Sequence, residues 1–489
     1  MKILMVASEC APVAKVGGLG DVVHGLSREL HQRGHDVAVI LPKYDCMRYD
    51  HIWDLAISYE NLWVPWNGGV INCTIWFGHV DGLASYFIEP HAEEQFFNRG
   101  TYYGFWDDAH RFGFFSRAAL EFMLKANLRP DIIHTHDWQT ALIPVMLYEI
   151  YESLGLDRQR VCHTIHNFKH QGTTGRDLLY ATGLHRADYF GDVHCMGDDF
   201  TPGAINHTKG AITYANFVTT VSPKHAFEAR HSDQGYGLGH TLYRFQDKFG
   251  GILNGLDYDT WNPMTDPYLR VHYDRDTLER KSDNKQALRE RLMLQQVYKP
   301  MVAYVGRLDT QKGVHLIRHA LFRTLEMGGQ FVLLGAASER GINDDFWHLK
   351  NDLNDNPDCH LEIGFDEALA HQIYAGVDLF VVPSLFEPCG LTQMIALRYG
   401  TVPVVRQVGG LADTVFDWNH SDLPLSKRNG FVFEEASFAG LESALDRGIA
   451  LWKQDPHGFQ MLMQAGMRYD YSWRLPVEHY LNIYRYIRC

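Results

Sequence analysis

The chain lacks most of the features that mark a metal ribbon, a disulfide scaffold or a membrane span. Its eight cysteines include no CxxC pair and follow no regular spacing, which reads as reduced thiols in a cytoplasmic protein. No apolar run approaches the ~20 residues that a membrane span needs. There is no low-complexity tract and no short-period repeat. Positive charge is also scarce. Against 59 Asp and Glu stand 45 Lys and Arg, a net charge of −14, so general binding to nucleic acid or to a membrane surface is not expected. An anionic ligand must then be held by cations placed locally. The first residues enter a strand pattern directly, with no signal or transit peptide visible ahead of it.

What is present is enough for large cores. A length of 489 residues at 46% hydrophobic content suggests about two to four domains on a ~150-residue prior. Ile3-Leu4-Met5-Val6-Ala7 is a short apolar run of the kind buried on both faces of a sheet. Val22, Val23, Leu26 and Leu30 recur at helical spacing, and Val37–Leu41 supplies the next strand. Between the first strand and the helix lies Lys15-Val16-Gly17-Gly18-Leu19-Gly20-Asp21. A glycine turn at a helix start admits phosphate, because the backbone can approach closely and the helix start is electropositive. A dinucleotide fingerprint does not fit. The register Gly18-x-Gly20 puts Val23 in the third glycine place, and the second strand ends at Leu41-Pro42-Lys43 without a carboxylate for a ribose hydroxyl.

Further strands end in polar groups, where ligands of parallel α/β sheets bind. Ile132-Ile133-His134 runs into His136-Asp137-Trp138, and Val161–Ile165 into His166-Asn167. The character resets near Asn254-Gly255-Leu256-Asp257, and apolar runs at 301–306, 331–335, 379–382 and 402–405 build a second α/β domain. The turn after the first of these carries Arg307 and Lys312, five apart. A bidentate guanidinium and a point-charge ammonium suit a diphosphate leaving group. The loop Phe386-Glu387-Pro388-Cys389-Gly390-Leu391-Thr392 opens a helix whose first N–H groups add phosphate donors, while Glu387 suits sugar hydroxyls. Cys389 reads as a packed small residue, with no neighbouring His to make it a nucleophile. His134, His136, Asp137, His163 and His166 do not have zinc spacing. Asp257-Tyr258-Asp259 resembles a DxD metal signature but is expected to be a turn cap. The stretch Phe96–Trp106 is dense in aromatics, suited in part to sugar C–H faces and in part to core packing.

Taken in order, the Lys15–Asp21 turn, His136-Asp137-Trp138, Thr164–Asn167, Leu253–Asp257, Gly306-Arg307-Leu308, Gln311-Lys312-Gly313, Pro383–Leu391, Ala396–Val405 and Gly409–Val415 resemble the bacterial glycogen synthase and plant starch synthase family over the whole chain. The resemblance implies a GT-B architecture: two Rossmann-like domains facing a central cleft, the last helix crossing back to the first. Residues 1–249, completed by 472–489, would form the acceptor domain and 250–471 the donor domain. It implies retaining transfer of glucose from ADP-glucose to the non-reducing end of an α-1,4-glucan, with no metal and no cofactor. It also implies roles. His166, Arg307, Lys312 and Glu387 would be catalytic. Lys15, Gly17, Gly18, Asp21, Asn254, Phe365, Cys389, Gly390, Leu391 and Thr392 would line the donor, with Phe365 stacking on adenine. Tyr103, Asp137 and Trp138 would lie toward the glucan. Neither nucleic acid nor membrane is expected as a partner, and the plastid stroma is compatible with such an enzyme alongside the cytoplasm. Related sugar transferases carry a second Glu eight positions after the first; here Ile395 occupies that place, which favours a glucan synthase. Phe168 stands where Leu is common. The alternatives are a catalytically weak glucan-binding or priming partner and a glucan phosphorylase, which would need a pyridoxal phosphate lysine.

Overall fold

The computed structural model describes residues 1–190 and 195–488. The chain divides into two compact units, Met1–Gly255 with Trp473–Cys489, and Leu256–Ser472.

The first unit is built on a nine-stranded sheet. Its strands are β1 (Lys2–Val6), β2 (Asp36–Pro42), β3 (Trp53–Trp66), β4 (Gly69–Val80), β5 (Leu83–Pro90), β6 (Ile132–His136) and β7 (Arg160–Ile165), with β10 (Phe217–Thr220) and β11 (Phe249–Gly251). A separate two-stranded ladder joins β8 (Thr173–Thr174) to β9 (Ile205–Asn206). The large sheet runs β11-β10-β7-β6-β1-β2-β5-β4-β3. It is parallel from β11 to β5, and β4 runs antiparallel to both β5 and β3. Strands covered on both faces read as continuous apolar runs, and β1 and β6 are buried over nearly their whole length.

The second unit holds β12 (Met301–Arg307), β13 (Gln330–Ala336), β14 (Cys359–Ile363), β15 (Leu379–Val382), β16 (Val402–Arg406) and β17 (Phe431–Phe433). They form one sheet, β14-β13-β12-β15-β16-β17, parallel throughout. The order reverses direction at β12. Ligands of open α/β sheets bind at such a switch, outside the carboxyl ends of the strands.

The unit limits differ from those expected from sequence. The first unit extends to Gly255 rather than 249, because Phe249–Gly251 pairs in parallel with β10 and closes the edge of the first sheet. Ser472 stays with the second unit, where it bridges Leu256. Asn254 therefore lies in the first unit, not in the donor domain assigned from sequence.

The last helix, Arg474–Arg488, belongs to the first unit. Val477, Tyr480, Leu481 and Tyr484 form its buried stripe. Tyr484 Oη lies 2.7 Å from His134 Nδ1, and Arg488 pairs with Asp131 at 2.9 Å. Arg33 donates to Glu478 and to the Arg474 carbonyl. Trp473 leads into this helix and is held between two glycines. A Cβ on Gly25 would lie 2.0 Å from Trp473 Nε1, and one on Gly255 would lie 2.6 Å from Trp473 Cα. Gly25→Ala gains up to about 1 kcal/mol of helix propensity. The indole has no room to yield, so overpacking of about 1–3 kcal/mol prevails. The expected outcome is a lower urea midpoint with an unchanged m value, a net loss of about 1–2 kcal/mol.

Candidate active site

In the first unit the polar groups gather at the carboxyl ends of β1, β6 and β7. The helix Gly18–Gln32 follows the glycine turn, with Gly17 at its N-cap and no side chain capping it. Asp21 lies in the first turn, and Lys15 Nζ pairs with it at 2.8 Å. Two N–H groups of the turn point inward. Val16 N and Gly17 N both donate to Glu9 Oε2, at 2.7 and 3.1 Å. Glu9 is buried and also accepts from the Tyr103 hydroxyl at 2.7 Å. Burial raises its carboxyl above the ordinary value, against the pull of these three donors. Tyr103 Oη lies 2.8 Å from Ser8 Oγ as well. The Tyr103 hydroxyl, expected on the acceptor side, is thus engaged within the protein.

Sequence reasoning missed Glu9. The signal was available, since Glu9 lies three residues beyond the end of β1, as polar a strand end as His136 or His166.

Strand β6 ends at His136, and a short helix Asp137–Thr140 starts there. Asp137 has φ +55°, a left-handed conformation that a non-glycine residue adopts only when held. The holding contact is a 2.6 Å bond from His166 N to Asp137 Oδ1. Burial pushes the Asp137 carboxyl up to about 7. His136 Nδ1 lies 3.1 Å from His166 Nε2. Burial drives His163 and His166 down to about 3, and His134 and His136 well below the usual imidazole value. These are neutral rings, each tied to a neighbour: His134 to Tyr484 and Thr164, and His163 to Thr135 at 2.8 Å. Trp138 is half-buried, edge-on to Phe112 at 5.6 Å. Asn254 is buried, and its Oδ1 has no hydrogen-bond partner among the described residues.

In the second unit Arg307 closes β12, its side chain 66% exposed and 3.2 Å from Asp309. Asp309 caps the next turn by accepting from Lys312 N at 3.0 Å. Lys312 Nζ reaches Glu387 Oε2 at 2.6 Å, and Ser384 Oγ donates to the same oxygen at 2.8 Å. Two loops thus meet, those after β12 and β15. Main-chain bonds tie them further: Leu385 N donates to Gln311 O at 2.8 Å. A third element presses on the second loop. Gly409 has φ +47°, and a Cβ there would lie 2.0 Å from the Glu387 carbonyl. Only glycine permits that approach. Cys389 is buried, as expected, and Gly390, Leu391 and Thr392 lead into the helix Thr392–Arg398. Phe365, just past β14, is 88% exposed.

Asp257 is a turn cap, accepting from Asp259 N and the Thr260 hydroxyl. Of the aromatic stretch, Phe96 and Phe97 are core while Trp106 is fully exposed. Among the described residues no group of three His, Cys, Asp or Glu is disposed to hold a metal ion. Nor is any described helix long and apolar enough to cross a membrane.

Two α/β units, with a glycine turn at a helix start in one and an Arg–Lys–Glu cluster at strand ends in the other, define a sugar-nucleotide glycosyltransferase of the GT-B type. Comparison with known proteins makes the class specific. The starch synthase catalytic domain family matches residues 2–244 and the glycosyl transferases group 1 family matches 299–449, one within each unit. Glycogen synthase 1 of Trichormus variabilis is 61% identical over 489 residues, covering 100% of this chain and 99% of its own. Glycogen synthase 2 of Methylococcus capsulatus is 60% identical, covering 99% of each chain. The catalytic domain of starch synthase IV from Arabidopsis thaliana, solved with ADP and acarbose, superposes with a TM-score of 0.95 at 45% identity, covering 100% of this chain and 99% of its own. Sucrose-phosphate synthase from Thermosynechococcus elongatus, at 18% identity and a TM-score of 0.63, shares the fold over 100% of this chain and 99% of its own. The chain belongs to the glycogen and starch synthase family of glucosyltransferases.

The titrations set a pH dependence. His134, His136, His163, His166 and His207 have folded values below the unfolded one. Between pH ~4 and ~6.5 the unfolded chain binds more protons at these rings, so stability rises with pH. Glu9 and Asp137 have raised values and act the opposite way, stability falling as pH passes from their unfolded values toward about 7 for Asp137. Five imidazoles outweigh two carboxyls. Urea unfolding should therefore show stability climbing from pH 4.5 to 6.5, and Asp137→Asn should steepen the climb. A flat or falling profile would show that the rings are not neutral in the fold.

Proposed function

We propose that this enzyme transfers glucose from ADP-glucose to the non-reducing end of an α-1,4-glucan, retaining the anomeric configuration. The observation that carries the reading is the strand-end cluster of Arg307, Lys312 and Glu387, in a chain matched from end to end by a starch synthase solved with ADP.

The chemistry follows from charge. As the glucosyl carbon becomes oxocarbenium-like, the departing ADP gains negative charge. Arg307, already solvent-facing, and Lys312 take up that charge, and pre-placed cations lower such barriers without reorganising. Lys15, with Gly17 and Gly18 at the helix start and Asp21 beside it, serves the diphosphate. Glu387 binds glucose hydroxyls, and His166 lies against the glucose near the anomeric carbon. Phe365 offers an open ring face to adenine. Cys389, Gly390, Leu391 and Thr392 line the phosphate side, Asn254 the nucleotide side, and Asp137, Trp138 and Tyr103 the acceptor side. The charge bookkeeping needs no metal ion and no cofactor.

Retention can proceed through a covalent glucosyl-enzyme, which needs a free carboxylate. Neither candidate suits that role. Glu387 Oε2 already holds Lys312 and Ser384, and Asp137 is bonded to His166 N with its carboxyl pushed up to about 7. A front-face transfer fits better. The C1–O bond to the diphosphate breaks, the acceptor hydroxyl adds on the same face, and its proton passes to the leaving phosphate oxygen.

Lys15→Ala, Arg307→Ala and Lys312→Ala should each lower kcat for glucose incorporation from ADP-glucose into glycogen by about 10²–10³ while the fold survives. Near-normal rates in all three would remove the phosphate clamp from the reading. Phe365→Ala should raise the KM for ADP-glucose by about tenfold or more, on the scale of a lost base-stacking contact, and leave the glycogen KM alone. Initial rates with ADP-glucose against UDP-glucose, with and without a glucan primer, test donor choice directly and separate an active synthase from a binding partner.

A further inference from the structure

His136 belongs to no role assigned above, yet it is the side chain that touches His166. Its Nδ1 lies 3.1 Å from His166 Nε2, the two rings 5.4 Å apart and tilted by 36°. Its own Nε2 is sealed from solvent and has no hydrogen-bond partner among the described residues. The ring cannot turn freely to change this. It stacks on His134 at 4.3 Å with the planes 26° apart. His134 in turn is pinned at both nitrogens, by Tyr484 and by Thr164. The backbone at His136 is fixed as well. His136 N donates to Thr140 Oγ1 at 2.7 Å, and that hydroxyl donates back to the His136 carbonyl at 2.8 Å.

This arrangement decides where the protons sit. A neutral imidazole carries one N–H. With the His136 proton on Nε2, a buried donor would be left with nothing to bond. With the proton on Nδ1, the donor is used and only a lone pair is left over. Orphaned buried N–H groups are the rarer defect, and leaving a buried donor unmade is costly. His166 Nε2 must then be the acceptor, and the His166 proton must be on Nδ1. That nitrogen has no partner among the described residues.

We infer that His136 is a positioning residue for His166: by donating from Nδ1 to His166 Nε2 it holds the His166 ring in one orientation and in the Nδ1–H tautomer, so that His166 presents a hydrogen-bond donor to the sugar. The functional half of this inference rests on the placement of His166 against the transferred glucose proposed above; the tautomer itself does not. Burial keeps both rings neutral, so it is the position of a proton, not a charge, that His136 controls. The turn after β7 is thereby fixed twice, by His136 through the His166 ring and by Asp137 through the His166 main chain. A partner that orients a metal-bound imidazole typically matters by about ten- to a hundredfold, which sets the scale expected here, and a wrong tautomer is a known way to lose catalysis with the geometry intact.

The test uses the full chain with ¹⁵N-labelled histidine rings, the His166 signals being assigned by their loss in His166→Gln. The expected wild-type pattern is a protonated Nδ1 and a lone-pair Nε2 on His166. Two substitutions then separate a positioning role from a packing one. His136→Asn places an amide donor near the position of Nδ1 and should keep the pattern and most of the rate. His136→Phe keeps a flat ring against His134 but has no donor. It should shift His166 toward the Nε2–H form and lower kcat about tenfold or more, with the KM for glycogen unchanged. A wild-type proton on Nε2 overturns the inference, as does a His136→Phe enzyme as fast as His136→Asn. Should His136→Phe fail to fold, the wild-type spectrum still decides. If the wild-type protein transfers no glucose, the functional reading has failed, while the spectrum continues to report the tautomer on its own.

Discussion

Parallel strands buried on both faces leave polar side chains one natural exit, the carboxyl ends, and the rest of this structure depends on that constraint. In the first unit β6 and β7 hold His134, Thr135, His163 and Thr164 within the sheet, bonded to one another, and the polar groups at the strand ends are Glu9, His136 and His166. In the second, β12 ends at Arg307 and the loop after β15 carries Glu387. The helices that cover the sheet faces bury the apolar runs, and the same covering brings the strand ends together. Fold and site are consequences of one packing rule.

The two units handle charge differently. In the second, opposite charges are set side by side: Lys312 against Glu387, Arg307 against Asp309. Each pair sets a cation beside a carboxylate, and an incoming anion can exchange for the carboxylate. In the first unit, beyond the Lys15–Asp21 pair at the glycine turn, the groups at the strand ends have their charge suppressed. The imidazoles are neutral because they are buried, and Asp137 and Glu9 resist ionisation for the same reason. What remains there is a network whose information lies in donor and acceptor positions. Such networks are worth having only when every partner is in place. The C-terminal helix supplies one of them, since Tyr484 holds His134, which stacks on His136, which bonds His166.

Much of this was legible in the residue order. Strands β1, β2, β6, β7, β12, β13, β15 and β16 were visible as short runs, and the helical spacing of Val22, Val23, Leu26 and Leu30 falls on the helix Gly18–Gln32. The antiparallel strands β3 and β4 were not anticipated. One face of β3 is open to water, with Trp53, Ile57 and Trp63 exposed, so its pattern is not that of a buried strand. The unit boundary was read six residues early because Phe249-Gly250-Gly251 has too little side chain to declare itself a strand; only pairing with β10 makes it one.

The order of residues alone determined the two-unit α/β plan, the glycine turn at Lys15–Asp21, the pairing of Arg307 with Lys312 on one turn, and the kinship with glucan synthases. Each is a local pattern or a spacing, and short-range sterics and periodicity are enough to produce it. Only the tertiary structure decided that Glu9 takes the N–H groups of the glycine turn, that the Tyr103 hydroxyl is engaged inside the protein, and that His136 meets His166. The Tyr103–Glu9 and His136–His166 contacts join residues 94 and 30 apart in the chain, and Glu9, seven residues before Val16, meets the turn only once the loop between them is folded. Their geometry and protonation are set by burial, which no stretch of sequence has until the rest of the molecule folds around it.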